Sequence, residues 1–118
     1  MKISLIIPCY NEQDNIAEFH RSATETFSFS NYEYEFTFIN DGSKDNTLNI
    51  LKKLYEKDTK HVNVVSFSRN FGKESAIYAG LKNVSGDYIT IIDADLQQRP
   101  ELVLDMRLTK KNAMKVLF

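Results

Sequence analysis

Hydrophobic and polar positions alternate along this chain in two rhythms. Four short, dense apolar runs have the length and the β-branched and aromatic content of strands: "ISLII" (3–7), "YEFTFI" (34–39), "VNVVSF" (62–67) and "YITII" (88–92). The segments between them follow a helical period. In "NEQDNIAEFHRSATETF" (11–27), Ile16, Phe19, Ala23 and Phe27 recur at spacings of three and four. A second helix carries Leu48, Leu51, Leu54 and Tyr55 on one face, with Ser43 or Asp45 as its cap. "KESAIYAGLKNV" (73–84) forms a third, and "SGD" (85–87) turns the chain into the fourth strand. Pro100 opens a final helix, with Glu101 near its positive end and Leu102, Val103 and Met106 as its apolar face.

Strand and helix in strict alternation predict an α/β fold, a Rossmann-like parallel sheet with helices on both faces. In a parallel sheet all carboxyl ends lie on one edge, and open α/β sheets bind ligands there. The loops "PCYNE", "NDGS", "SRNFGK" and "DADLQ" are scattered in sequence, yet this topology brings them to one rim.

The chemistry of that rim is acidic. Asp93 and Asp95 end the fourth strand at positions i and i+2, so an extended backbone would point both carboxylates the same way. Two like charges held that close need a cation between them or a shared proton. A hard divalent ion such as Mg²⁺ or Mn²⁺ suits such oxygen ligands, and the amide oxygen of Gln97 can add a third; a solvated turn is the plainer alternative. Asp41, in "NDGSKDNT", has two readings. It belongs to a turn in which Gly42 takes a positive φ and Ser43 satisfies orphan amides, or it accepts hydrogen bonds from a bound base or ribose. Pro8 ends the first strand rigidly, Tyr10 offers a flat face for a base, and Glu12 is either an acceptor or a first-turn helix residue. Arg69 and Lys73 can meet phosphate or stay solvated. His20 and His61 lie outside the rim loops and read as structural or surface residues.

Composition narrows the classes. A chain of 118 residues, 42% hydrophobic and 26% charged, makes one ordinary globular domain. Its net charge of −1 provides no global field for nucleic acid or anionic lipid, so an anionic ligand must be met locally. No apolar run approaches the roughly 18–20 residues that span a bilayer. The single cysteine, Cys9, excludes an internal disulfide and fits a cytoplasmic location. G-x-G-x-x-G, G-x-x-x-x-G-K-[ST] and Cys/His clusters are all absent, which argues against a dinucleotide fingerprint, a P-loop or a zinc site.

Four ordered segments, "SLIIPCYNEQDNI", "FINDGSKDNT", "SRNFGKESAIYAGL" and "GDYITIIDADLQQRPE", resemble the N-terminal half of family 2 glycosyltransferases with a GT-A fold. The resemblance runs from about residue 3 to residue 102 and is nearest to the dolichol- and polyprenyl-phosphate sugar synthases, with their "DDGS", "RNFGK" and "DADLQ-P" signatures. It implies a UDP- or GDP-sugar donor, a divalent metal, and inverting transfer to a polyprenyl phosphate or a cell-envelope glycan. By position, it implies a nucleotide pocket of Pro8, Tyr10, Glu12, Ile39 and Asp41, an acidic motif of Asp93, Ala94 and Asp95 beside the diphosphate, and metal contacts from Asp93, Asp95 and Gln97. Residues 1–107 would then be the donor-binding subdomain and 108–118 an atypical tail.

The sequence departs from the family pattern in three places. Asn40 stands where "DDGS" has its first Asp, Gln98-Arg99 precedes Pro100, and "DMRLTKKNAMKVLF" differs from the family's continuation. That last departure predicts a truncated or fragmentary product without its acceptor half, poor at transfer, and tied to the cytoplasmic membrane face only if a longer form carries C-terminal helices. A sheet edge left open would favour pairing between chains. Two competing readings remain. In a haloacid-dehalogenase-like phosphatase Asp93 would be the nucleophile and Asp95 the acid/base, although that motif belongs on a first strand. The other is a nucleotide-binding fragment without turnover.

Overall fold

The computed structural model describes residues 1–95. Within them the order is β1 (Lys2–Cys9), α1 (Ile16–Ser28), β2 (Glu33–Asn40), α2 (Thr47–Lys57), β3 (Val62–Ser66), α3 (Lys73–Lys82) and β4 (Tyr88–Ile91). All strand pairs are parallel, in the order β3-β2-β1-β4. The expected α/β sheet with helices on both faces is therefore present.

Strand periodicity divides the core. Ile3, Leu5, Ile7 and Cys9 of β1 join Phe36 and Phe38 of β2 on one face, under Phe19, Ala23 and Phe27 of α1 and Leu51 and Leu54 of α2. Ile6 and Ile39 point to the other face, where Ala76, Ile77 and Leu81 of α3 cover them together with Ile89 and Ile91 of β4. This alternation is the period-two pleat of a strand buried on both sides. Gly80 allows α3 to approach closely, because a Cβ there would strike the side chains of Ile6 and Ile39.

The chain builds outward from β1 to β2 and β3, then returns across the sheet to place β4 on β1's other side. The carboxyl ends of β1 and β4 thus flank the point where the connections diverge, the usual ligand crevice of an open α/β sheet.

Several local expectations change. Helix α1 starts at Ile16, so Glu12 precedes the first turn, and its carbonyl accepts the Asn15 and Ile16 amides. Ser43 does not cap α2; its hydroxyl accepts the Asn11 amide instead. Asp45 does serve that helix, accepting the Thr47 amide at 2.9 Å. On α2 it is Thr47, Leu51 and Leu54 that are buried, whereas Tyr55 is exposed. Strand β4 stops at Ile91, and Ala94 and Asp95 lie in a turn rather than an extended segment. Gln97 and the helix expected after Pro100 fall outside the described residues. None of the described helices is long and apolar enough to cross a membrane.

Candidate active site

Two loops at the carboxyl edge are knitted together by side chain–backbone hydrogen bonds. Asn11, with a left-handed φ of 53°, donates its amide to Ser43 Oγ, and its own Oδ1 accepts the Lys44 amide. The Glu12 amide donates to Thr47 Oγ1 and the Asn46 amide to Gln13 Oε1. Short polar side chains suit this task, since they satisfy amides that neither helix can reach.

Asp41 is the hub of the next connection. One carboxylate oxygen accepts the Phe71 amide at 2.8 Å, the other accepts the Gly72 amide at 3.1 Å, and Asn70 Nδ2 reaches both its carbonyl and its carboxylate. Gly42, at φ 68°, lies against the Arg69–Asn70 backbone so closely that any Cβ would collide with it. The side chain expected to be free for a base or ribose is thus already engaged by the "RNFG" backbone, and it is buried. Neighbouring Asn40 is also structural: its Oδ1 accepts the Ser43 amide and its Nδ2 donates to Ser66 Oγ.

These loops enclose a recess of about 250 Å³ lined by Pro8, Cys9, Tyr10, Glu12, Asp41, Lys73, Asp93 and Asp95. Six of the residues expected to bind the nucleotide are therefore brought together: Pro8, Tyr10, Glu12, Asp41, Asp93 and Asp95. Ile39 and Ala94 are not in the lining; both are wholly buried core residues. The strand pleat explains Ile39, whose side chain must face α3. Arg69 stacks its guanidinium on the Phe71 ring and is likewise outside the lining. A larger recess, about 680 Å³ between α2 and β3, is lined by none of the residues expected to bind the nucleotide.

Charge in the recess is unbalanced. Glu12, Asp41, Asp93 and Asp95 are acidic, and among the described lining residues only Lys73 is basic. Lys73 Nζ contacts Asp93 Oδ1 at 2.9 Å. Burial first, and then the charge of Asp95, raise the Glu12 carboxyl above its ordinary range; a hydrogen bond with Asn15 opposes them, and Asp93 and Asp45 add smaller upward pushes. Cys9 is the lining residue that sequence reasoning passed over. Burial, then Glu12 and Asp93, drive its thiol far up, so it is an inert wall rather than a nucleophile. Its signal was positional, directly between Pro8 and Tyr10 on the rim.

Both histidines are structural. Asp58 accepts from His20 Nε2 at 3.1 Å and His61 Nδ1 at 2.9 Å, and the His61 ring stacks on Tyr34. This ties α1, the end of α2 and the start of β3 together, away from the recess.

An open parallel sheet with a recess at its switch point is the arrangement in which α/β domains bind their ligands, and comparison with known proteins identifies the family. The family described as "Glycosyl transferase family 2" matches residues 4–111, and the chain belongs to that family. The match ends inside the 108–118 segment set apart above.

Among curated proteins, the "Prophage bactoprenol glucosyl transferase homolog" of Escherichia coli (strain K12) is 47% identical over 103 residues, covering 87% of this chain and 33% of that protein. The "Putative glycosyltransferase CsbB" of Bacillus subtilis (strain 168) is 50% identical over 95 residues, covering 80% of this chain and 29% of that one. The chain thus spans about a third of the length of these relatives. Among solved structures, S. aureus TarS 1-349 in complex with UDP superposes with a TM-score of 0.72 at 28% identity, covering 89% of this chain and 30% of that one. The phosphatase reading finds no support in these relationships.

Proposed function

We propose that residues 1–95 form most of the donor-binding half of a glycosyltransferase, and that the acidic recess takes the diphosphate of a nucleotide sugar. One observation carries this reading: the carboxyl ends of β1 and β4 deliver Pro8, Tyr10, Asp93 and Asp95 to one recess at the switch point of the sheet. Tyr10 is 43% exposed, so its ring is available for a base to stack on. The recess is smaller than the roughly 300–1,000 Å³ of closed ligand pockets, so the described residues supply only part of an enclosure.

A divalent cation fits the donor set. Among the described residues no group of three or more His, Cys, Asp or Glu side chains has metal-holding geometry. Asp93 and Asp95 nevertheless offer hard oxygen ligands, and the upward push they exert on Glu12 marks a repulsion that a cation would relieve. Mg²⁺ or Mn²⁺ would be held by Asp93 and Asp95, with Gln97 as a third ligand, and would supply charge neutralisation to the departing nucleoside diphosphate. Pro8 and the cross-linked loops keep the nucleotide face rigid, and Glu12 remains as a hydrogen-bond acceptor.

In the whole protein the acceptor would be a polyprenyl phosphate and the outcome inversion, on the cytoplasmic side. The bactoprenol-directed names of the similar proteins support this choice of acceptor. Titration calorimetry with UDP and GDP, each with Mg²⁺, Mn²⁺ or EDTA, tests the donor reading. Binding should require the metal, and equal affinity in EDTA would overturn the assignment of Asp93 and Asp95.

A further inference from the structure

The Lys73–Asp93 pair is more than a surface ion pair, because the fold goes to some length to place it. Lys73 is the first residue of α3, and the loop before it is held from below by Asp41, which accepts the Phe71 and Gly72 amides. The absence of a Cβ at Gly42 lets that loop lie directly on the end of β2. The start of α3 is thereby fixed relative to β1 and β4, and the ammonium reaches Asp93 Oδ1 at 2.9 Å.

The pair also lies inside the recess. Lys73 shares its lining with Tyr10, Glu12 and Asp95, at the positive end of the helix. The side chains of Lys73 and Asp93 are 56% and 42% exposed, so water screens their attraction and the pair is readily broken. An easily broken pair suits a cation that must change partners.

We propose that Lys73 is a built-in counter-ion of the acidic rim: it holds Asp93 while the site is empty and passes to the diphosphate when Asp93 turns to the divalent cation. This rests on the donor reading above. Asp41 is then a positioning residue, acting on the site through the loop that carries Lys73. No bond is made or broken in the exchange; one ammonium trades a carboxylate for a phosphate oxygen.

The charge arithmetic gives the proposal a signature that a structural ion pair lacks. Removing Lys73 leaves Asp93 uncompensated, which favours a divalent cation alone. The same change removes the positive charge that meets the diphosphate, which disfavours the nucleotide. The two affinities must move in opposite directions.

The experiment measures Mn²⁺ binding without nucleotide, by electron paramagnetic resonance, and UDP binding at saturating Mn²⁺, by calorimetry, for the wild type, Lys73→Met and Lys73→Arg. Lys73→Met should bind Mn²⁺ about threefold to tenfold more tightly and UDP weaker by a similar factor, the scale of one partly screened charge at contact distance. Lys73→Arg, which keeps the charge, should stay near the wild type in both measurements. An unchanged Mn²⁺ affinity in Lys73→Met, or two affinities moving the same way, would overturn the counter-ion. A wild type that binds Mn²⁺ but not UDP would instead defeat the donor reading, so the two failures are told apart.

Discussion

The sheet carries a polar cluster at each end of its strands, and the two are built on opposite principles. At the amino end, buried Glu35 is surrounded by partners: Ser4 Oγ donates at 2.5 Å, the Ser85 amide at 2.9 Å, and Lys2 Nζ lies 3.2 Å away. Ser4 Oγ in turn accepts the Gly86 amide. Burial alone would raise the Glu35 carboxyl, but the bonds from Ser4, Ser85 and Lys2 overcome it and hold the group below its ordinary range. At the carboxyl end the balance reverses. Four acidic side chains line one recess with a single basic one among the described residues, and the Glu12 carboxyl is pushed up rather than down. A satisfied carboxylate fastens the α3–β4 loop to the sheet. An excess of carboxylates costs stability, and the cation proposed above would relieve that repulsion.

This contrast can be broken from either end. Replacing Glu35 by Ala should have the largest effect, lowering stability by about 3 kcal/mol, because it leaves buried Ser4 and the Ser85 amide without an acceptor. Urea denaturation reads the loss, and UDP affinity of the folded protein should stay unchanged. A loss of UDP binding would show that the two ends are coupled.

Asp41→Ala comes next, at about 2 kcal/mol, since the Phe71 and Gly72 amides lose their partner but lie close enough to the recess for water to replace part of it. Unlike the Glu35 variant, it should also weaken UDP binding, because the loop bearing Lys73 is released. Full affinity in a destabilised Asp41→Ala protein would separate the loop from the site.

The smallest effect has the opposite sign. Glu12→Gln should stabilise the protein slightly at neutral pH, by less than either change above because water screens the site, since it removes a carboxylate that burial and Asp95 disfavour. The sign follows from proton linkage. A folded-state pKa raised above the unfolded one, near 4.3 for Glu, means that the folded wild type binds more protons and loses stability as pH rises through that interval. The gain in Glu12→Gln should therefore appear above about pH 4 and vanish in more acid solution. Thermal melts across that range check it, and saturating Mg²⁺ should shrink the gain by relieving the repulsion in the wild type.

The sequence by itself determined a great deal here. Four apolar runs and three helical periods carried the order of elements, and the parallel topology that follows from their alternation placed "PCYNE", "NDGS", "SRNFGK" and "DADLQ" on one edge. Local patterning suffices for this, because burial on one or both faces dictates the period of hydrophobic positions. Sequence alone could not say where each polar side chain spends its hydrogen-bonding capacity. Ser43 serves Asn11 rather than its own helix, Asp41 holds Phe71 and Gly72, Ile39 turns into the core, and Lys73 meets Asp93 twenty residues away. Each of those outcomes depends on which orphan amide or charge another loop brings within about 3 Å, and only the packed sheet fixes that distance.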